Sequence, residues 1–107
     1  MIETVNMELN IGYSFNIAEN GVPIGVIIID MSGNVRCMMF DESYYNRIEP
    51  MMWVKNVIEK MIELRIKGIV KIDKLSYIVT GNNKIMDEFM SKTPFFKEGN
   101  RWVCYLV

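Results

Sequence analysis

The sequence predicts a single small α+β domain, and three observations support this fold class. The chain has 107 residues, which is enough for one hydrophobic core. Its first forty residues contain apolar, β-branched runs separated by turn-forming segments, a pattern typical of antiparallel strands. The remaining residues alternate helical and strand-like patterns. This order predicts a mixed sheet with an antiparallel meander, a β-α-β crossover, a second helix and a closing hairpin.

Three strands are predicted in the first forty residues. Residues 11–18 alternate loosely between apolar and polar side chains, and residues 22–29 form an apolar, β-branched run. The Asn20-Gly21 pair between them is typical of a two-residue hairpin turn. A second turn, rich in Ser, Gly and Asn, leads into a third strand over residues 35–40. These three strands form the meander.

A long amphipathic helix follows the meander. Pro50 fits its first turn, because a proline there loses only an amide that has no partner within the helix. Gly68 fits its end, because glycine adopts the left-handed conformation of a helix cap at low cost. Between them, apolar residues recur at helical spacing, at Met51, Val54, Ile58, Met61 and Ile62.

The last part of the chain predicts a strand, a helix and a hairpin. Residues 75–80 form a strand-like run after the long helix, which makes a β-α-β crossover. A second helix over residues 84–92 follows Asn83, a residue suited to capping it, and ends before Pro94. A turn-rich joint before residues 101–107 predicts the closing hairpin.

Strand alternation and helix spacing converge on one set of core positions. The predicted core consists of Val26, Ile28, Val54, Ile58, Met61, Ile78, Phe89 and Val103. Burial of this set tests the predicted fold directly.

The composition excludes several kinds of chemistry. The chain contains no histidine, so it has no imidazole acid–base group, no histidine-activated nucleophile and no histidine metal ligand. Cys37 and Cys104 lie in apolar runs, where a thiol is usually a small buried hydrophobic group. Asp30, Asp41 and Glu42 could together bind a divalent cation, but a turn-forming role for Asp30 is preferred and no metal is expected.

Charge and hydropathy restrict the partners and the location. The net charge is −1 and the basic residues are spread along the chain, so no dedicated nucleic-acid surface is expected. No apolar stretch approaches the roughly 20 residues of a membrane span, and the first residues lack the features of a signal peptide. The expectation is a cytoplasmic protein with no membrane partner.

Three local motifs resemble the GNAT acetyltransferase family. The segment Gly-Val-Pro-Ile-Gly over residues 21–25 is similar to the start of the family's second strand, and Asn82-Asn83 resembles the asparagine that begins its fourth helix. Residues 96–99 with 102–106 resemble its closing strands. The resemblance covers residues 15–107 and is strongest for short, divergent GNAT-like proteins of tailed phages. It implies one GNAT-like domain over residues 1–107, truncated at its N-terminal side relative to the family.

The resemblance also implies a donor site. In the family, two central strands run parallel, splay at their C-terminal ends and bind coenzyme A between them. The matching strands here end near Phe40 and near Thr80, and the crossover between them is expected to be right-handed. The residues implied to contact a donor are Phe40, Asp41, Val79, Asn82 and Asn83, with acetyl-CoA as the possible cofactor.

The loop before the long helix departs from the family pattern. Active members use a glycine-rich loop there, whose amides hold the coenzyme A diphosphate. Residues 41–50 contain no glycine, and Asp41, Glu42 and Glu49 would repel an anion. Pro50 also removes one helix-terminal amide. We therefore expect no diphosphate nest and no tight binding of acetyl-CoA in the usual manner.

The family's general acid is missing as well. A tyrosine seven residues after the asparagine of the fourth helix often protonates the leaving thiolate. Counting from Asn82 gives Phe89 and counting from Asn83 gives Met90, and neither side chain has a hydroxyl. The sequence therefore predicts no catalytic residue.

Two functions remain open. The first is a degenerate GNAT-like protein of a phage or mobile element that acts by protein interaction, for instance in virion assembly or host takeover. Tyr44, Tyr45, Arg47 and Trp53 form an aromatic and basic cluster typical of interface hot spots, although each fits the edge of a core equally well. The partner would be another protein, and a homo-oligomer is possible. The second is an atypical acyl-CoA-dependent N-acyltransferase that binds its donor by other contacts.

The missing nest predicts a small effect of acetyl-CoA on stability. A ligand with a Kd of about 1 μM, present at about 100 μM, stabilises a native state by about 2.7 kcal/mol. We expect acetyl-CoA at this concentration to produce no stabilisation of that size in a thermal-shift measurement. A rise of several degrees in melting temperature would contradict the prediction and would favour the enzyme.

Overall fold

A computed structural model describes residues 2–9, 12–44, 49–79 and 83–106, with the backbone alone for residues 2–9 and Glu49. The strands and helices follow in chain order: β1 (Ile2–Leu9), β2 (Gly12–Glu19), β3 (Val22–Asp30), β4 (Val35–Phe40), a 3₁₀ turn (Glu42–Tyr44), α1 (Glu49–Ile66), β5 (Lys74–Tyr77), α2 (Lys84–Ser91), β6 (Phe96–Glu98) and β7 (Arg101–Tyr105). Among the helices so described, none is both long enough and apolar enough to span a bilayer.

The first sheet is antiparallel, with the order β1-β2-β3-β4. Asn20 and Gly21 join β2 to β3, and their φ angles of 51° and 80° make the predicted hairpin turn. The sequence pattern predicted a three-stranded meander without β1. Glu3, Asn6 and Glu8 interrupt the apolar pattern of that segment. The pairing of β1 with the whole length of β2 is a tertiary contact that the local pattern does not reveal.

A β-bulge in β3 changes which of its residues face the core. Ile17 pairs with Gly25 and Ala18 pairs with Pro23, so Ile24 is an extra residue between two ladder positions. Such an extra residue reverses the alternation of faces beyond it, because the side-chain period of a strand is two residues.

The bulge explains why two of the predicted core positions are wrong. Strict alternation placed Val26 and Ile28 in the core, but both side chains are only partly buried. The buried positions on this part of β3 are Ile27 and Ile29. The prediction for Val26 and Ile28 was wrong because the bulge shifted the strand by one residue.

The long helix α1 begins and ends close to the predicted residues. Its predicted core residues, Val54, Ile58 and Met61, are all buried. Gly68 follows the helix with a φ angle of 78°, and its amide donates to the Arg65 carbonyl. These interactions satisfy carbonyls at the end of the helix, which confirms the predicted stop.

The second sheet is also antiparallel, with the order β5-β7-β6, and contains the predicted closing hairpin. Val103 of β7 and Phe89 of α2 are buried as predicted. Strand β5 is shorter than predicted, and Ile78 lies just beyond it with 48% of its surface exposed. The prediction of Ile78 as a core residue was therefore wrong, because the chain leaves the sheet before that position.

One parallel bridge joins the two sheets. Asn34, next to the start of β4, pairs with Ser76 of β5 in the predicted parallel orientation, and the Ser76 amide donates to the Gly33 carbonyl at 2.9 Å. No further ladder pairing between β4 and β5 occurs in the described parts of the chain. The predicted single mixed sheet is thus two antiparallel sheets that meet at this bridge.

Gly33 should be intolerant of a side chain at this junction. Its φ angle is 91°, and an added Cβ would overlap the carbonyl oxygen of Lys74. We expect Gly33→Ala to lower the free energy of unfolding by about 3 kcal/mol, from backbone strain together with the overlap. Urea-induced unfolding measures this change.

Gly21→Ala is the matched control. Gly21 also has a positive φ angle, of 80°, but an added Cβ there would meet no atom within 4 Å. Only the strain remains, so the expected loss is about 1 kcal/mol. Equal losses for the two variants would contradict a close approach at Gly33.

Candidate functional site

An open cleft lies where β4 and β5 leave their bridge. It is lined by Asn34, Val35, Arg36, Ser76 and Ile78. Its volume of about 560 Å³ falls within the range of roughly 300–1,000 Å³ that small-molecule sites occupy. The cleft therefore has the size of a ligand site. It lies at the start of β4, and none of the described residues implied to contact a donor lines it.

The turn before β4 is built around the carboxylate of Asp30. Its Oδ1 accepts hydrogen bonds from the Ser32 amide at 2.9 Å and the Asn34 amide at 3.0 Å, and its Oδ2 accepts from Asn34 Nδ2 at 3.3 Å. Burial alone would raise the pKa of Asp30, but these hydrogen bonds and the charge of Arg36 together lower it below its ordinary value. Asp30 therefore organises the turn in its ionised form.

A second β-bulge determines the position of Arg36. Ile28 pairs with Cys37 and Ile29 pairs with Val35, so Arg36 is an extra residue in β4. Its side chain is 68% exposed, and its Nε lies 3.8 Å from Asp30 Oδ2. Arg36 is the one charged residue among those that line the cleft.

Ser76 lies on the β5 side of the cleft. The residue is only 8% exposed, and its amide is used by the bridge to Gly33. Its hydroxyl has no hydrogen-bond partner within the described segments, and the oxygen is not fully buried. The local sequence pattern does not indicate Arg36 or Ser76 as site residues, because a bulge and a bridge are properties of strand pairing.

The implied donor-binding residues are spread around the ends of the two strands. Phe40 is buried at the end of β4, with ring centroids 5.6 Å from Trp53 and 5.5 Å from Phe89. Val79 is partly buried, and Asn83 caps α2 by accepting a hydrogen bond from the Met86 amide at 3.1 Å. These placements do not test a role in donor binding, which stays a prediction; Asn82 lies outside the described residues.

Most amides in the described part of the loop after β4 already donate within the chain. The amide of Asp41 donates to the Ile24 carbonyl at 2.8 Å, and the amide of Tyr44 donates to the Asp41 carbonyl at 2.9 Å. The amide and hydroxyl of Ser43 both donate to Asp41 Oδ1, which lowers the pKa of this exposed carboxyl. Residues 41–44 thus offer an anion a carboxylate in place of converging amides; residues 45–48 lie outside the described segments.

The aromatic and basic cluster is partly integrated into the fold. Trp53 is 3% exposed, and its ring centroid lies 5.4 Å from that of Tyr44. The Tyr44 hydroxyl donates to the Glu19 carboxylate, which ties the loop to the end of β2. Tyr45 and Arg47 lie outside the described residues, so an interaction role for the cluster stays a prediction.

The two thiols and the residue at the implied general-acid position are not activated for catalysis. Burial raises the pKa of both thiols, Cys37 and Cys104, which keeps them protonated near neutral pH. Phe89, the residue implied at the general-acid position, is buried in the core. Within the described segments, no group of three or more carboxylates and thiols is arranged to hold a metal ion.

Comparison with known proteins bears on the fold. No family model and no curated protein matches the chain. Among solved structures, the chain is similar to the solution NMR structure of YhhK from E. coli, a candidate N-acetyl transferase bound to coenzyme A. The match covers 98% of each chain with a TM-score of 0.72 and 12% sequence identity. This likeness supports the GNAT-like fold implied by the sequence motifs.

Loss of the Asp30 carboxylate should weaken the turn at the base of the cleft. We expect Asp30→Ala to lower the free energy of unfolding by about 2 kcal/mol at pH 7, because hydrogen bonds to a charged group are lost. The folded-state pKa is below the unfolded-state value, so this contribution is present above about pH 4 and declines as the pH falls through the folded-state pKa.

Urea unfolding at pH 7 and pH 3 tests both parts of this expectation. The gap between wild type and Asp30→Ala should be smaller at pH 3. Asp30→Asn serves as the control, because it keeps the turn-forming shape without a titrating group. A gap that is independent of pH would contradict the role of the charge.

Proposed function

We propose that this chain binds an acyl-CoA thioester in the cleft between β4 and β5 and acts as an atypical N-acyltransferase. One observation carries the proposal. The two strands meet in a single parallel bridge at Asn34 and Ser76 and form no further described ladder beyond it, next to an open cleft of about 560 Å³. The similar structure of YhhK, which was solved with coenzyme A, supports this assignment.

The residues at the cleft fit the amide-containing arm of coenzyme A, and the residues of the neighbouring loop do not fit its diphosphate. The β5-facing edge of β4 has backbone groups outside any described ladder, which suit the amide-containing arm of the cofactor. The described loop does not suit the diphosphate, since the amides of Asp41, Ser43 and Tyr44 already donate within the chain. Donor binding would therefore depend on the arm and on Ile78 at the cleft, and it would be weak.

The chemistry available to such a site is limited. A bound thioester would supply an activated acyl group. Residues lining the cleft include no carboxylate, thiol or phenol to serve as a general acid or base. Positioned acid–base groups contribute about 10²- to 10⁴-fold to such reactions, so turnover would be low and would depend on bringing the reactants together.

A second candidate function is protein interaction by a degenerate member of this fold, in a phage or mobile element. The occupied amides of Asp41, Ser43 and Tyr44 and the buried Phe89 favour it, since both remove parts of an enzyme site. The partner would be another protein that contacts the aromatic and basic cluster, in which Trp53 is buried.

The proposed mode of donor binding predicts that the nucleotide half contributes little. We expect acetyl-pantetheine, which lacks the nucleotide, to bind within about threefold of the affinity of acetyl-CoA. Ligand-detected NMR measures both, because it detects millimolar affinities. Binding of acetyl-CoA at least tenfold tighter, about 1.4 kcal/mol, would contradict this mode. No saturable binding of either compound would reject the proposal and leave the second candidate.

A pair of variants tests the location of the site. Ile78→Ala removes an apolar side chain that lines the cleft, and we expect it to weaken acetyl-pantetheine binding by about fivefold, or roughly 1 kcal/mol. Ile85→Ala is the control, because Ile85 on α2 is 65% exposed and does not line the cleft. Equal effects of the two variants would place the ligand elsewhere.

A further inference from the structure

We propose that the bridged end of the cleft recognises a carboxylate group, which Arg36 and Ser76 bind together. The proposal deepens the proposed function, because the carboxylate would belong to the acyl group of the donor or to the amine acceptor. In either case the ligand of this site is an anion with one carboxylate near its reacting group.

Arg36 has the geometry that such recognition needs. It approaches Asp30 through Nε, and its two terminal nitrogens have no hydrogen-bond partner among the described residues. The bulge in β4 and the 68% exposure of the side chain leave these nitrogens accessible at the cleft. A guanidinium presents parallel N–H groups that match the two oxygens of a carboxylate.

Ser76 provides a second donor on the opposite strand. Its hydroxyl belongs to a largely buried residue, lines the cleft and has no partner within the described segments. The hydroxyl oxygen is not enclosed, because no buried side-chain oxygen of the described residues lacks a partner, so it can donate to a ligand oxygen that enters the cleft. Ser76 pairs with Asn34, and Arg36 is two residues further along β4. Two strand residues span about 7 Å, which an arginine side chain can cover.

The charges around the cleft favour a single carboxylate. Asp30 is the carboxylate next to Arg36, but its oxygens accept hydrogen bonds from Ser32 and Asn34 in the turn. The lining itself therefore has one positive charge and no negative one. A doubly charged phosphate is less suitable than a carboxylate, because Asp30 lies within 4 Å of the guanidinium and would repel the second charge.

Two matched pairs of probes test the inference and identify the source of the carboxylate. N-acetylglycine against N-acetylglycinamide tests an acceptor carboxylate without any thioester. Succinyl-CoA against acetyl-CoA tests a donor carboxylate. We expect at least one carboxylate probe to bind about tenfold more tightly than its neutral match, measured by NMR titration of the ¹⁵N-labelled full chain. A preference in the first pair identifies the acceptor, and one in the second identifies the donor.

Substitutions of Arg36 and Ser76 test whether these two side chains cause the preference for the carboxylate probe. Arg36→Gln should abolish the preference for a carboxylate, and Ser76→Ala should reduce this preference by about fivefold. Arg101→Gln, which removes an exposed cation of β7 that does not line the cleft, should leave it unchanged. No preference in either pair, or equal losses for Arg36→Gln and Arg101→Gln, would overturn the inference. Absence of thioester binding alone would reject the proposed function, while the N-acetylglycine pair would still decide the inference.

Discussion

The close approach of Gly33 to the start of β5 is the constraint on which this fold depends. Within each sheet, the strands pair with one another. Between the two sheets there is a single described ladder contact, and Gly33 lies beside it. The carbonyl of Gly33 accepts the Ser76 amide, and the absence of a side chain lets the Lys74 backbone pass close to it. Because the sheets meet at one point, the strands on either side of that point need not remain adjacent. The cleft is thus a direct result of how the sheets are joined.

Local sequence patterns predicted most of the elements, because turns and caps depend on a few neighbouring residues. Asn20-Gly21, Gly68 and Asn83 each act where the sequence indicated. The errors arose where strand pairing decides the outcome. The bulge at Ile24 changed the buried face of β3, and β1 gains its stability from pairing with β2.

The residues that line the candidate site could not be predicted from the sequence. The resemblance implied a donor site at the ends of the strands near Phe40 and Thr80, which stays a prediction. The observed cleft lies next to the bridge at the start of β4. Arg36 and Ser76 could not be chosen in advance, since one is placed by a bulge and the other by a bridge. The loop leading into α1, residues 41–50, is a different case. Its lack of glycine already indicated a poor anion site, and the internal hydrogen bonds of Asp41 and Ser43 supply the physical reason.

The bulge in β4 also has a consequence for how such a site could arise in evolution. In the gene, a bulge of this kind corresponds to one additional codon. If Arg36 were deleted, Val35, Met38 and Phe40 would follow strict alternation and would still face the core. The hydrophobic packing therefore does not depend on the residue at this position. A single in-frame insertion can add a charged side chain to the mouth of the cleft, and later substitutions can change its chemistry without disturbing the hydrophobic core.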